Sequence, residues 1–164
     1  MALDQGPLTD RLTNWDTVFA IRYDSVNAGI KAAKSSLPTF EYKIGDESEF
    51  YSMRGDFDDW GLCPRGGGHL VRMQLPITKL VYDKVKWDTQ VFSDGWVEIS
   101  ISLKTIMRKG ATEEAGDLLD IVVNTDEGEA NDIISVKDLK LTPAPSKEDE
   151  RWIKELFRSW LAVH

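Results

Sequence analysis

The chain has 164 residues, of which 41% are hydrophobic, and it carries six tryptophans and a formal net charge of −8. This length and apolar content fit one folded domain with its own core and exclude a disordered chain. The acidic charge, without a basic stripe, argues against nucleic acid as a partner, and no apolar run approaches the roughly 20 residues that span a bilayer.

The amino-terminal segment shows no secretion signal. Residues 1–13 contain Asp4 and Asp10 and lack an apolar signal core. We therefore expect residues 1–13 to be a leader of uncertain order and residues 14–164 to be a single domain. The expected location is cytoplasmic, or exported without a recognisable signal peptide. The single cysteine, Cys63, excludes an internal disulfide and a cysteine-rich zinc site.

The first half of the chain is predicted to contain one helix among several strands. Asp24 or Ser25 can cap a short helix that ends before Pro38. Strands are predicted for residues 14–23, 40–44, 50–57 and 69–75. The glycine-rich segment 61–68 predicts a long hairpin connection, and Pro76 predicts a strand end, a bulge or an edge.

The stretch Leu80–Met107 has the clearest pattern in the sequence. Apolar and polar residues alternate there with a period of two, which predicts long strands with one apolar face. Ser93-Asp94-Gly95 interrupts the pattern and predicts the turn between them. Two shorter apolar strands are predicted at residues 118–123 and 133–141. The apolar face of the long strands needs another element to cover it.

The carboxyl-terminal segment predicts an amphipathic helix roughly 28 Å long. Ser146 can cap it, and Asp149 lies three residues further on, in an imperfect capping box. One face of this helix is apolar and rich in aromatic residues. Its members are Trp152, Ile153, Leu156, Phe157, Trp160 and Leu161. We therefore expect an α+β fold in which a long, curved antiparallel sheet wraps around this helix and a shorter amino-terminal helix.

Two groups of motifs resemble a known family over residues 14–105. Trp15-Asp16-Thr17-Val18-Phe19-Ala20, followed by Ser25-Val26-Asn27, resembles the opening of the forty-seven-kilodalton accessory proteins encoded beside clostridial neurotoxins. The second group joins Phe57-Asp58-Asp59-Trp60, across the glycine-rich gap, to Leu70-Val71-Arg72-Met73 and Leu75-Pro76-Ile77.

This resemblance implies both a fold and a function. Those proteins belong to the tubular lipid-binding (TULIP) superfamily, in which a curved sheet wraps around a helix and the cavity often accepts an acyl chain. Members of the neurotoxin-associated group are also thought to engage lipids and one another. The implied ligand is a lipid or another apolar small molecule, and the implied protein partner is a second copy or a related TULIP-type protein. The chain corresponds to a single unit, whereas the clostridial proteins contain more than one.

An apolar groove between the sheet and the terminal helix is the first candidate site. Such pockets are mostly apolar, with a few polar groups at the mouth. Aromatic residues would line it, and two arginines could contact a lipid headgroup. The candidates are Trp87, Trp96, Trp152, Phe157, Trp160, Arg65 and Arg72. Periodicity does not separate such a groove from a filled core, so the aromatic residues could equally be core residues.

Catalytic and metal-binding patterns are weak. Asp56, Asp58 and Asp59 lack the glycine and distal glutamate of a calcium loop. Gly66-Gly67-Gly68 precedes a predicted strand, whereas a phosphate loop opens a helix. His69 belongs to no recognised nucleophile or zinc motif. We therefore expect non-catalytic binding without a metal or cofactor. Two alternatives stay open: a protein-interaction or assembly module, and a small cyclase or isomerase that uses the groove.

Overall fold

The computed structural model describes residues 22–67, 69–84, 88–108, 118–123 and 133–163. This part of the chain forms two helices and eight strands, which confirms the predicted α+β class. Its elements are α1 (Tyr23–Ala33), β1 (Thr39–Gly45), β2 (Phe50–Phe57), β3 (Gly61–Gly67), β4 (Leu70–Lys84), β5 (Asp88–Phe92), β6 (Asp94–Arg108), β7 (Leu118–Val123), β8 (Ile134–Thr142) and α2 (Lys147–Leu161). The strands form one antiparallel sheet. The strand predicted from residue 14 lies almost wholly outside the described residues.

Long strands that are nearly continuous form the centre of the sheet. β4 pairs with β5 and with β6 in a single register, in which Leu80 lies opposite Phe92 and Ile77 lies opposite Gly95. β5 and β6 are therefore one strand, interrupted only at Ser93. β2 and β3 follow each other along the opposite edge of β4 in the same way.

The turn predicted at Ser93-Asp94-Gly95 is wrong, because these residues continue the long strand beside β8. The Ser93 amide donates a hydrogen bond to the carbonyl oxygen of Thr142 at 2.8 Å. Glycine is needed at position 95 for close approach to β8: a Cβ there would lie 2.2 Å from the carbonyl oxygen of Lys140. β4 and β5 pair antiparallel as far as Lys84, which lies opposite Asp88.

The connection predicted for residues 61–68 is also wrong, since most of it forms strand β3. Leu62 lies opposite Met73 of β4. On its other side, the amide side chain of Asn27 in α1 accepts a hydrogen bond from the Leu62 amide at 2.7 Å. The same side chain donates to the Leu62 carbonyl oxygen at 3.2 Å. A side chain thereby satisfies backbone groups that a neighbouring strand would otherwise bond.

Pro76 lies inside β4, at the point where the neighbouring strand is interrupted. The pairing of β2 with β4 shifts between Asp56 and Phe57, and the Asp58 amide donates to the Pro76 carbonyl oxygen at 2.9 Å. Proline has no N–H group to offer a regular partner, so an irregularity beside it is favourable. Of the three alternatives predicted at Pro76, the structure has an irregular pairing beside the proline, and a strand end is wrong because β4 continues to Lys84.

The core lies between one face of the sheet and α2, which contacts β1, β2 and β8. Side chains repeat on one face every 2 residues in a strand and every 3.6 residues in a helix. The core consists of alternate residues of the strands and of the predicted apolar face of α2. Its fully buried members are Met53, Leu75, Ile77, Leu80, Tyr82, Phe92, Val97, Ile99, Ile153, Leu156, Phe157 and Trp160. Among the described residues, no helix is long and apolar enough to cross a membrane.

Candidate functional site

The carboxyl-terminal half of α2 packs tightly on the sheet. Phe157 is fully buried and Trp160 is 2% exposed. The Phe40 ring lies 5.1 Å from the ring centroid of Phe157, 6.2 Å from that of Trp160 and 4.4 Å from that of Phe57. These distances are those of well-packed aromatic pairs. Phe157 and Trp160, two of the candidate ligand-binding residues, are therefore core residues in this closed arrangement.

The amino-terminal half of α2 contacts the sheet through a more exposed aromatic pair. Trp152 stacks on Tyr51 of β2 with a centroid distance of 4.0 Å and an angle of 11° between the ring planes. Both residues are only partly buried. The Arg151 guanidinium lies 5.5 Å from the Trp152 ring centroid. This pair gives the sheet–helix interface an apolar rim that solvent reaches.

A buried carboxylate joins the first turn of α2 to the sheet. Asp149 is 4% exposed and accepts hydrogen bonds from Lys84 Nζ at 3.0 Å, Gln90 Nε2 at 3.0 Å and Ser146 Oγ at 2.7 Å. Ser146 Oγ in turn accepts from the Asp149 amide at 3.1 Å, so the predicted helix cap is confirmed. Burial acts to raise the pKa of Asp149, but hydrogen bonds from Gln90, Ser146 and Lys84 lower it overall. The same hydrogen bond between Lys84 and Asp149 stabilises the charged form of Lys84 and therefore raises the pKa of Lys84.

Beside this carboxylate lies a buried hydroxyl that has no partner. Tyr82 is fully buried, and its hydroxyl group forms no hydrogen bond with any residue in the described part of the chain. Burial raises the pKa of Tyr82 far above its usual range, and the negative charge of Asp149 adds to the rise. A buried hydroxyl without a hydrogen bond costs about 1 to 3 kcal/mol. We conclude that this end of the interface has an unused polar group beside an apolar rim.

No sequence motif singles out Tyr82, Lys84 or Gln90 for the candidate site. The alternation along β4 could have found the first two. Leu80, Tyr82 and Lys84 share one strand face by alternation, so an apolar row pointing into the core ends in a tyrosine and a lysine. A charged residue in such a row needs a buried partner. Asp149 is that partner, and only the folded chain brings it near.

Two other candidate residues lie on the sheet face opposite to α2. Trp96 is half-buried and lies opposite Pro76, whereas the neighbouring Val97 points into the core. Arg72 forms an ion pair with the buried Glu98 at 2.6 Å on this outer face. The expectation that these residues line the groove or its mouth is therefore not met in this arrangement. The Arg65 side chain and Trp87 lie outside the described residues.

A depression of about 470 Å³ is lined by residues of β1, β2 and β4 and by Trp160 of α2. Its polar lining residues are Thr39, Glu41, Arg54, Asp56 and Lys79. Arg54 also pairs with Asp83 at 2.6 Å, which helps to keep the pKa of Asp83 low although burial acts to raise it. In the neighbouring aspartate cluster, Asp59 pairs with Lys31 at 3.2 Å. Within the described ranges, no group of three or more acidic, histidine or cysteine side chains could hold a metal ion.

Comparison with known sequences places the chain among the relatives that its motifs resemble. The family model described as "OrfX-like: Protein OrfX2/OrfX3/P47" matches residues 12–163. Protein OrfX3 of Paraclostridium bifermentans is 33% identical over 130 residues, which cover 75% of this chain and 26% of that protein. Protein OrfX3 of Clostridium botulinum (strain Kyoto / Type A2) is 30% identical over 126 residues, covering 73% and 24%. The chain thus spans about a quarter of these relatives' length.

Solved structures of P47 share the fold. P47 from Clostridium botulinum A2 superposes with a TM-score of 0.60 at 16% identity, covering 86% of this chain and 32% of that protein. P47 of Clostridium botulinum E1 gives a TM-score of 0.52 at 18% identity, covering 84% and 30%. Together with the family match, these similarities confirm the predicted family. The chain belongs to the OrfX-like family of OrfX2, OrfX3 and P47, the accessory proteins of clostridial neurotoxin clusters.

Proposed function

We propose that this chain is a non-catalytic binding unit that takes a lipid or another apolar molecule between the amino-terminal half of α2 and the sheet. The observation that carries the proposal is the Tyr82 hydroxyl, which is buried near Tyr51 of the Tyr51–Trp152 stack and has no hydrogen-bond partner among the described residues. Ligand sites for apolar molecules combine apolar walls with a few polar groups that fix orientation. The tubular lipid-binding fold that the resemblance implies also supports a ligand at the sheet–helix interface.

Entry of a ligand would require α2 to tilt, because core side chains fill the closed interface. The aromatic cluster around Phe157 would keep the carboxyl-terminal half attached. The amino-terminal half is held by the hydrogen bonds of Asp149 to Lys84 and Gln90. With these bonds broken, an apolar chain could lie against Trp152, and the Tyr82 hydroxyl could donate to a carbonyl or phosphate oxygen.

Binding of an apolar fluorescent dye, N-phenyl-1-naphthylamine, tests the proposal directly. We expect the purified chain to bind the dye, and native mass spectrometry to detect a co-purified lipid. Trp152→Ala should weaken dye binding about fivefold, because one stacked aromatic contact contributes on the order of 1 kcal/mol.

Trp96→Ala is the matched control, since Trp96 is also a half-buried tryptophan but lies on the opposite face of the sheet. This variant should bind the dye as the wild type does. A wild type that binds neither dye nor lipid contradicts the proposal. Equal losses in the two variants would place the dye elsewhere.

A second candidate function is a protein-interaction module, and the charged residues that line the depression at β1, β2 and β4 favour it. Association of charged surfaces is sensitive to salt, so such a complex should weaken as ionic strength rises. Sedimentation of this chain with an OrfX3 protein at two salt concentrations tests it. A salt-sensitive complex, together with an absence of dye binding, would favour this function over the first.

A further inference from the structure

β1 lies at the edge of the sheet in the described part of the chain, where it pairs only with β2. Two backbone hydrogen bonds at the ends of β1 show which of its residues direct their N–H and C=O groups toward β2. The Phe57 amide donates to the Pro38 carbonyl oxygen at 2.9 Å, and the Asp46 amide donates to the Glu49 carbonyl oxygen at 3.0 Å. Bonded pairs recur at every second residue of an antiparallel ladder. The even-numbered residues of β1 therefore bond to β2, and the odd-numbered residues direct their backbone groups away from the sheet.

The odd-numbered residues on this free edge include two exposed residues of opposite charge, Glu41 and Lys43. The Lys43 ammonium lies 4.4 Å from the Phe50 ring centroid, on the outer face. Arg54 lies opposite Glu41 on β2 but forms its ion pair with Asp83. Among the described residues, Glu41 itself has no ion pair within 4.0 Å. The edge therefore offers one carboxylate and one ammonium to a neighbouring strand.

The spacing of these charges selects one way for two copies of the strand to pair. In each copy only the odd-numbered residues have backbone groups free to bond, so odd-numbered residues must lie opposite odd-numbered residues. The numbers of two opposite residues then always add up to the same even number, and the two-fold axis passes through the residue at half that number. An axis through Glu41 would set Glu41 opposite Glu41, and an axis through Lys43 would set Lys43 opposite Lys43; both registers repel. An axis through Tyr42 sets Glu41 opposite Lys43 twice, as the symmetry of an isologous dimer requires.

The side chains of β1 that point toward the core also fit this arrangement. Tyr42 and Ile44 point toward the core but remain partly exposed, because β1 is the last strand on this side of the described sheet. In the register centred on Tyr42, the two Tyr42 side chains meet at the axis, and Ile44 lies opposite Phe40 of the second copy. The apolar layer would thus continue from one copy into the next and remove these side chains from water.

We propose that β1 pairs antiparallel with β1 of a second copy of this chain, with a two-fold axis at Tyr42 and reciprocal Glu41–Lys43 ion pairs. A lysine in an edge strand commonly prevents pairing with other chains. In β1, however, the lysine can form an ion pair with Glu41 of a second copy, so it favours pairing between two copies of this chain. A seven-residue strand forms a small interface, so the dissociation constant should be on the order of micromolar. The dimer does not depend on ligand binding at α2.

Sedimentation velocity of the 164-residue chain, from about 1 to 100 µM, measures the association. The wild type should shift from monomer to dimer across this range. Glu41→Lys and Lys43→Glu each set like charges opposite each other twice. Each variant should therefore weaken the dimer about tenfold or more.

Three further samples separate this register from other modes of association. The double variant Glu41→Lys/Lys43→Glu should restore the dimer, and an equimolar mixture of the two single variants should form a heterodimer. Lys79→Glu, a charge reversal on the same outer face but on β4, should leave dimerisation unchanged. The proposal is overturned by a wild type that stays monomeric, by single variants that dimerise normally, or by a double variant that stays monomeric. Dye binding should be equal in all these variants, so the ligand proposal stands or falls separately.

Discussion

The two ends of α2 are held to the sheet by different kinds of contact. Near its carboxyl end, Phe157 and Trp160 pack against Phe40 and Phe57 in a buried aromatic cluster. In its first turn, the helix is held by Asp149 through hydrogen bonds with two side chains of the sheet. Apolar packing is non-directional and carries no charge, whereas hydrogen bonds to a carboxylate require one geometry and one protonation state.

The difference shows which end of the helix can respond to its surroundings. The aromatic cluster weakens only when the core itself is disrupted. The Asp149 bonds weaken when a proton or a competing polar group reaches the carboxylate. The unpartnered hydroxyl of Tyr82 lies at this same responsive end. One end of α2 is therefore held by contacts that do not depend on pH, and the other end by hydrogen bonds that do.

The largest expected effect follows from emptying the aromatic cluster. Phe157→Ala should lower the free energy of unfolding by about 3 to 5 kcal/mol, because it removes a fully buried ring and leaves a cavity. Trp152→Ala, at the other end, removes a half-exposed ring and should cost about 1 to 2 kcal/mol. Urea denaturation of both variants measures the difference. Equal losses would contradict the distinction between the two ends.

A smaller effect is expected from Asp149→Asn, about 2 kcal/mol at neutral pH, because the charged acceptor of Lys84 is lost. The pKa of Asp149 is lower in the folded chain than in the unfolded one, where it is about 3.9. Its stabilising contribution is therefore complete above pH of about 5 and is lost as pH falls through the folded pKa.

Urea denaturation at several pH values between neutral and strongly acidic measures this contribution. The stability difference between wild type and Asp149→Asn should shrink as pH falls. Glu155→Gln is a suitable control, since Glu155 lies on α2 but bonds to Arg158 at the partly exposed surface. A difference that stays constant over the acidic range would show that Asp149 does not hold this end through its charge.

The smallest effect is expected from Tyr82→Phe, and its sign is informative. Removing a buried hydroxyl that has no partner should leave the free energy of unfolding unchanged or raise it by up to about 1 kcal/mol. Binding of a fluorescent fatty acid should nevertheless weaken, if the hydroxyl donates to the ligand. Parallel urea denaturation and fluorescence titration measure both quantities. A destabilised variant with unchanged binding would mean that the hydroxyl serves the fold alone.

Sequence periodicity predicted the elements whose burial repeats regularly. The alternating strands around Leu80 and the helix stripe through Phe157 follow directly from periods of 2 and 3.6, because each periodic face is buried. The cap at Ser146 was also predictable, since its partner lies three residues away. In these cases the deciding contacts are local or are repeated along one element.

Features that depend on distant contacts were not predictable in this way. The strand at Leu62 is completed by Asn27, and the glycine at 95 serves the approach of β8 rather than a turn. Alternation places Trp96 and Val97 on opposite faces but does not say which face the helix covers. The helix covers the face of the smaller residue. The candidate site had the same limit, because its polar residues come from three separate elements.

The single register that β4 shares with β5 and β6 restricts how chains of this type can change in length. β4 is bonded along both of its edges, so one inserted residue would turn every following side chain to the other face. Leu80 and Tyr82 would then leave the core. Gains and losses of residues among related units should therefore concentrate at the connections, such as the turn between Asp46 and Glu49. The paired strands should keep a constant length even where their sequences diverge.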